Sequence, residues 1–241
     1  MSKRSYNTIL FDLDDTLLGN NMEQFIPRYF ALLGEYAQPL FANSRLFLKA
    51  LLLGTQAMIA AADSELTNRE VFWQTFAERT GLDARETEAF FDRFYRERFP
   101  SLQPATEARP VAVKLVRHCL EQGCKVVVAT NPLFPRRAIE QRLAWAGLPV
   151  TEFAFALVTT YDNMRATKPH QAYYRQILAD VGVDAAGTLM VGDNWENDIK
   201  PAIALGMDAY WISPESAVPP DAALVAGHGT LDDLYRWLVD P

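Results

Sequence analysis

Three carboxylates close a short apolar run: Thr8, Ile9, Leu10 and Phe11 lead straight into Asp12, with Asp14 and Asp15 directly after. An apolar strand that ends in acids must face a cleft, and in open α/β sheets the ligand crevice lies beyond the carboxyl ends of the strands. Acids that close together repel one another unless a cation or hydrogen-bond donors compensate them, and a hard divalent cation is the simplest compensator. Asp12 and Asp14 are two apart, so strand geometry sends both to one side, and a turn starting there frees the Asp14 backbone carbonyl as a further oxygen ligand. A second acidic cluster follows the apolar run 188–191. Gly192 permits close backbone approach, and Asp193 stands where its oxygen can meet a cation held by Asp12. Asp198 falls near the start of the next helix and has two readings, a charge favoured by the helix dipole or a member of the site.

Two further groups are ambiguous alone. Thr130 and Asn131 end the apolar run 125–129 and offer a hydroxyl and a backbone N–H to an oxyanion, although Asn131 with Pro132 also marks an ordinary turn. Lys168, before Pro169, is either a solvated lysine or a cation for the acidic cluster.

The elements that must carry these groups are β-rich runs alternating with helical patterns, which predicts an α/β fold with a parallel sheet covered by crossover helices. Strands are expected over 8–12, 125–130, 154–158, 188–191 and 209–212. Most show little alternation, as strands buried on both faces do. Helices are expected near 107–121, 135–146, 170–181, 197–205 and 231–239, and 214–229 reads as a loop joining the last strand to the terminal helix. Between about 18 and 105 there is no convincing strand; apolar residues recur at helical spacing over 23–37, 44–62, 69–79 and 85–99. Thr67 with Glu70 fits a capping box that starts one of these helices. The aromatic set of this segment, including Phe25, Tyr29, Phe30, Phe72, Trp73, Phe76, Phe91 and Tyr95, is expected to pack within it.

The order of the motifs, Asp12 and Asp14, then Thr130 and Asn131, then Lys168, then Gly192 and Asp193 with Asp198 beyond, resembles the four-motif signature of the haloacid dehalogenase-like hydrolase superfamily. The resemblance spans residues 8–198. It implies a Rossmann-like three-layer core, over residues 1–17 and 106–241, with an inserted all-α cap of the C1 type over residues 18–105. It implies a phosphomonoester hydrolase in which Asp12 attacks phosphorus to give an aspartyl-phosphate and Asp14 acts as general acid and then general base. Mg²⁺ would be held by Asp12, Asp193 and the Asp14 carbonyl, Thr130 and Asn131 would orient the phosphoryl oxygens, and Lys168 would neutralise charge. Asp198 would hold Lys168 or a metal-bound water in place. Asp15 occupies a position variable in the superfamily, often glycine, and receives no chemical step.

Asp14 decides among reactions within the resemblance, because the dehalogenases lack this acid at the second position. A phosphomutase would need acid/base groups from the cap, and His118, His170 and His228 all lie outside it. A rival of another class is a non-catalytic binding module that uses 46–62 for partner contact; the intact pair Asp12 and Asp14 weighs against it. The expected substrate is a small phosphate ester such as a sugar phosphate, phosphoglycolate or a nucleoside monophosphate. Gly19, Asn20, Asn21, Glu23 and Arg28 either face its leaving group or form a solvated linker.

Composition bounds the partners. Of 241 residues, 49% are apolar and 22% charged, enough to bury a sizeable core. The net charge of -7 disfavours a nucleic-acid polymer or an anionic membrane as partner, since phosphate-backbone affinity needs concentrated Lys and Arg. Cys119 and Cys124 are read as buried free thiols. Lys3 and Arg4 precede an apolar run broken by acids, unlike a signal peptide, and 46–62 contains Lys49, Gly54 and Gln56 and falls short of a span. A cytoplasmic monomer or homodimer is expected.

Overall fold

The computed structural model describes residues 6–20, 22–41, 44–62, 64–214 and 216–239; Lys3, Arg4 and Asn21, named above, lie outside them. The chain opens with β1 (Thr8–Phe11) and β2 (Leu18–Gly19), followed by the helices α1 (Met22–Ala37), α2 (Ser44–Ala60), α3 (Asn68–Thr80) and α4 (Ala84–Glu97). A 3-10 segment, Phe99–Ala105, leads to β3 (Glu107–Ala108), α5 (Pro110–Glu121), β4 (Lys125–Val128), α6 (Arg136–Trp145) and β5 (Leu157–Val158). Then come α7 (Gln171–Val181), β6 (Thr188–Gly192), a π-helical turn Trp195–Ile199 that runs into α8 (Lys200–Ala204), β7 (Asp208–Ile212), β8 (Gly227–Gly229) and α9 (Leu231–Val239).

Six strands pair in parallel in the order β5, β4, β1, β6, β7, β8. Ile9, Phe11, Val126, Val128, Leu189 and Val191 bury one face of the sheet against Leu115 of α5, Ile139 of α6 and Leu234 of α9. Leu10, Val127 and Met190 bury the other against Tyr173 and Ile177 of α7 and Ala202 of α8. This is an α/β, Rossmann-like three-layer fold, and burial on both faces is why its strands lack alternation. Strand β1 is where the order reverses: the chain adds β4 and β5 on one side of it, then returns to add β6, β7 and β8 on the other. Such a switch point opens a crevice at the carboxyl ends of the strands.

Residues 22–105 add helices and no strand of that sheet. Their apolar faces continue the core that lies on the β1 side, with Phe25, Phe47, Phe76, Phe94 and Phe99 almost fully buried, and their rings pack on one another as expected. Helix α2 lies on α3 where Gly54 meets Phe72; a Cβ at Gly54 would come within 2.7 Å of that ring. No described helix is long and apolar enough to cross a membrane. The capping box forms as expected: Glu70 N donates to Thr67 Oγ1, and Thr67 N donates to the Glu70 carboxylate.

Several expectations are corrected. The stretch 214–229 is not only a loop, because Gly227–Gly229 adds the edge strand β8 beside β7. Gly227 lets the Tyr210 ring lie against it, since a Cβ there would sit 2.7 Å from Tyr210 Cε2, and a three-residue strand of glycine and histidine carries no readable pattern. The antiparallel pair β2 and β3, two residues each, was equally invisible. The helix expected over 85–99 ends at Glu97 and gives way to the 3-10 segment, which holds Pro100 and Pro104. The helix expected over 197–205 begins as the π turn. Cys119 is buried, whereas Cys124 is only half-buried.

Candidate active site

Because β1 lies between β4 and β6 in register, Phe11 pairs with Val128 on one side and Val191 on the other. Asp12 therefore emerges level with the ends of both neighbours, and its N–H still donates to Val191 O at 2.8 Å. Thr130 and Asn131 follow β4, and Asp193 follows β6. Asp12, Asp14, Thr130, Asn131, Lys168, Asp193 and Asp198 all line one pocket of about 210 Å³. The structure thus brings every expected site residue together.

Lys168 is buried, not solvated. Its Nζ donates to Asp12 Oδ1 at 2.7 Å and Asp198 Oδ1 at 2.6 Å, and its backbone N–H donates to Asn131 Oδ1 at 3.3 Å. Asp198 is fully buried in the π turn, where its Oδ2 accepts from Asn194 N at 3.0 Å. Asp198 thus both lines the pocket and accepts from the backbone at the start of the turn. A Cβ on Gly192 would lie 2.3 Å from Asp198 Oδ2, so the glycine admits the Asp198 side chain. The end of β4 is anchored by Thr159 Oγ1 and Tyr173 OH, which donate to Thr130 O at 2.7 and 2.8 Å.

Burial pushes the Asp12 carboxyl well above the usual carboxylate range, against the pull of Lys168; Asp198, Asp193 and Asp14 push the same way. Burial likewise pushes Asp193 up to about 7, with Asp198 and Asp15 adding repulsion. For Lys168 burial acts downward, but the two carboxylates outweigh it and hold the ammonium protonated. The pocket is a concentration of negative charge that one lysine only partly offsets. Asp12, Asp193 and Asp198 each present a carboxylate oxygen within 4.8 Å of the others. Oxygen donors of this kind fit a hard cation. Both Asp198 oxygens are already engaged, so Asp12 and Asp193 are the carboxylates left for an ion, and the Asp14 side chain is turned elsewhere.

Where it turns was missed by sequence reasoning. Arg142 Nη1 donates to Asp14 Oδ1 and Oδ2, and Asn20 Nδ2 donates to Asp14 Oδ1 at 2.9 Å. Arg142 is fully buried, its Cζ lies 4.7 Å above the Phe134 ring, and its Nε and Nη2 have no hydrogen-bond partner. The available signal was a single charge on the apolar face of α6, beside Ile139 and Leu143. Asn68, at the start of α3, was also missed. Its Nδ2 donates to Pro132 O and Ala166 O, both at 3.2 Å, and its N–H donates to Met164 O at 2.7 Å. It thereby ties the loop carrying Thr130 and Asn131 to the loop carrying Lys168.

Asp15 is the one non-glycine residue among those described with a positive φ, 56°. Aspartate tolerates this left-handed region better than most residues. The turn is held by Asn20 N donating to Asp15 Oδ1 and by Arg109 Nη1 donating to Asp15 O and Thr16 O. Glu23 and Arg28 are exposed and reach no partner in the pocket, whereas Met22 lines it. The three histidines stay out of the pocket; His170 meets Ile59 O on α2 and His118 stands edge-on to Tyr235.

Known proteins resemble this chain in sequence and fold. The chain is 26% identical over 230 residues to a phosphoserine phosphatase of Thermus thermophilus, covering 85% of this chain and 87% of that protein. It is 31% identical over 163 residues to a phosphoglycolate phosphatase of Rhodospirillum rubrum, covering 66% and 64%. Among solved structures, a HAD phosphatase from Thermococcus onnurineus superposes with TM-score 0.60 at 20% identity, covering 97% of this chain and 98% of that one. A 2-haloacid dehalogenase from Pseudomonas syringae gives TM-score 0.61 at 20% identity, over the same shares. The haloacid dehalogenase-like hydrolase family matches residues 6–206, from β1 through the helical insertion to α8 and including every residue of the pocket, and the chain belongs to that family.

Proposed function

We propose that the chain is a Mg²⁺-dependent phosphatase that hydrolyses small phosphomonoesters through an aspartyl-phosphate on Asp12. The observation that carries this reading is the convergence on one pocket of a strand-end carboxylate, a second carboxylate two residues on, a buried lysine and the donors of Thr130 and Asn131. Relatives named phosphoserine phosphatase and phosphoglycolate phosphatase support it. The proposed core comprises residues 1–17 and 106–241, and the proposed cap residues 18–105. The pairing of Leu18 with Ala108 and Gly19 with Glu107, which brings the two ends of the helical segment side by side, supports these bounds.

Lys168 commits Asp12 Oδ1, which leaves Oδ2 to attack phosphorus as the ester P–O bond breaks. Asp14 gives its proton to the departing alkoxide, then takes one from the water that attacks the phosphorylated Asp12, and inorganic phosphate leaves with the Asp12 carboxylate restored. Thr130 and the Asn131 amide hold phosphoryl oxygens, Lys168 balances their charge, and Asp198 holds Lys168. Asp12, Asp193 and the Asp14 carbonyl would hold Mg²⁺, which would supply the charge neutralisation that two approaching anions need.

The test is phosphate release from a panel of phosphomonoesters, with Mg²⁺ and with EDTA, in wild type and Asp12→Asn. Metal-dependent turnover abolished in Asp12→Asn is expected; equal activity in the variant, or no turnover of any ester, sinks the reading. The same preparations should release no halide from 2-haloacids, because Asp14 supplies an acid/base that dehalogenation does not use.

A further inference from the structure

The aromatic rings of the helical insertion do not fill their own interior. They leave a cavity of about 130 Å³ between α1, α2, α3, α4, the loop 133–135 and Tyr161. Two stretches of chain run from the catalytic pocket into it. On α1, Met22 lines the pocket, and Ile26, Tyr29 and Phe30, one and two turns further along the same face, line the cavity. After β4, Thr130 and Asn131 line the pocket, and Leu133 and Phe134 line the cavity. The turn between them is tight, with Leu133 N donating to Asn131 O at 2.8 Å.

The side-chain polar groups on the cavity wall are few, and each already makes a hydrogen bond within the protein. Tyr29 and Tyr95 hydroxyls share a hydrogen bond of 2.7 Å, Thr55 Oγ1 donates to Leu51 O, Trp73 Nε1 donates to Tyr161 OH, and Tyr161 OH donates to Glu88 Oε1. A hydroxyl-rich occupant would lose its bonds to water and find few partners in return, whereas an apolar one loses nothing. A dry cavity of about 150 Å³ holds benzene, so this one is of the size of a small ring or branched alkyl group.

We propose that the cavity receives the leaving group of the substrate, and that this group is apolar: a six-membered ring or branched chain on a short primary alcohol. The proposal rests on the phosphatase reading and adds the class of alcohol. It is tested with two primary alkyl phosphates of similar leaving-group chemistry, cyclohexylmethyl phosphate and glycerol 3-phosphate, and with Thr55→Met, which extends a side chain into the cavity from α2. Burial of an apolar group acts on ground and transition state alike, so KM for the cyclohexylmethyl ester should be at least ~10-fold lower with kcat changed little. The ratio of kcat/KM for the two esters should fall at least ~5-fold in Thr55→Met, as lost burial of a few methylenes predicts.

Binding is read separately: cyclohexanol should raise the Tm of wild type and not of Thr55→Met. Should that variant fail to fold, Leu51→Phe takes its place. Turnover without preference for the apolar ester, or an unchanged ratio in the folded variant, overturns the cavity assignment and leaves the phosphatase reading intact. If no ester shows Asp12-dependent turnover, the phosphatase reading falls, and a cyclohexanol shift absent from wild type removes the cavity site as well.

Discussion

Arg142 Nη1 lies 2.6 Å from Asp14 Oδ2 and 2.9 Å from Oδ1, which makes a buried arginine of α6 the partner of the carboxyl two residues beyond the strand end. A guanidinium so placed fixes the orientation of that carboxyl, and its own position is fixed by the Phe134 ring beneath it. Arg142→Met should therefore harm esters that need a protonated leaving group more than those that do not. The expected outcome is a ~10–100-fold greater loss of kcat on an alkyl phosphate than on p-nitrophenyl phosphate, less than the full ~10²–10⁴-fold of general acid catalysis because the Asp14 carboxyl itself remains. Arg142→Lys, which keeps the charge, should recover part of the difference; equal losses on both esters would reduce Arg142 to a packing role.

Asp193 titrates near 7 because it is buried beside Asp198 and Asp15. Its folded value lies above its unfolded one, so without metal its charge lowers stability increasingly as pH rises through that interval. Asp193→Asn should raise the Tm of EDTA-treated protein at pH 8, somewhat less at pH 6, and change it little at pH 4, close to the carboxyl's unfolded value. Metal binding requires the carboxylate, so apparent Mg²⁺ affinity in wild type should rise with pH up to about 7 and then level off. Calorimetric titration at pH 6, 7 and 8 reads the slope, and a flat profile contradicts it.

Asn68 is fully buried and bridges the two loops that carry Thr130, Asn131 and Lys168. Asn68→Ala leaves Pro132 O and Ala166 O without that donor and should cost about 1–3 kcal/mol of stability. Because both loops shift, KM should rise along with the fall in Tm. Denaturant melts beside steady-state kinetics test the pair, and a loss of stability with unchanged KM argues against the bridge.

Gly192→Ala would force a Cβ against Asp198 Oδ2 at 2.3 Å, so Asp198 must move and release Lys168. The substitution should reproduce Asp198→Ala in activity. Combining the two should add little, since one removes what the other displaces. A double-mutant cycle on kcat/KM checks this; independent, additive losses mean that Gly192 serves some other purpose.

The strands that carry the site were legible because they are apolar on both faces and end abruptly in acids, as at Asp12 and Asp193. Thr130 and Lys168 were ambiguous alone and gained meaning only from their order along the chain. What stayed hidden was contact made at long range. Arg142 reads as an ordinary member of a basic helix until α6 is laid against β1, and Asn68 reads as the first residue after a capping threonine until α3 is set on the loops it joins. Strand β8 was hidden for a different reason: glycine and histidine have no β preference, and only the neighbouring β7 edge makes them a strand.

The place of β1 between β4 and β6 also bears on how the chain comes to be folded during synthesis. Thr8–Phe11 is made well before its partners, which begin at residues 125 and 188. Until then a fully apolar strand has two bare edges, the situation most prone to association with other chains. The long helical segment emerges in that interval, and its phenylalanines join the same apolar cluster as Ile9 and Phe11. The strand therefore waits with both edges unpaired while the helices α1 to α5 are made.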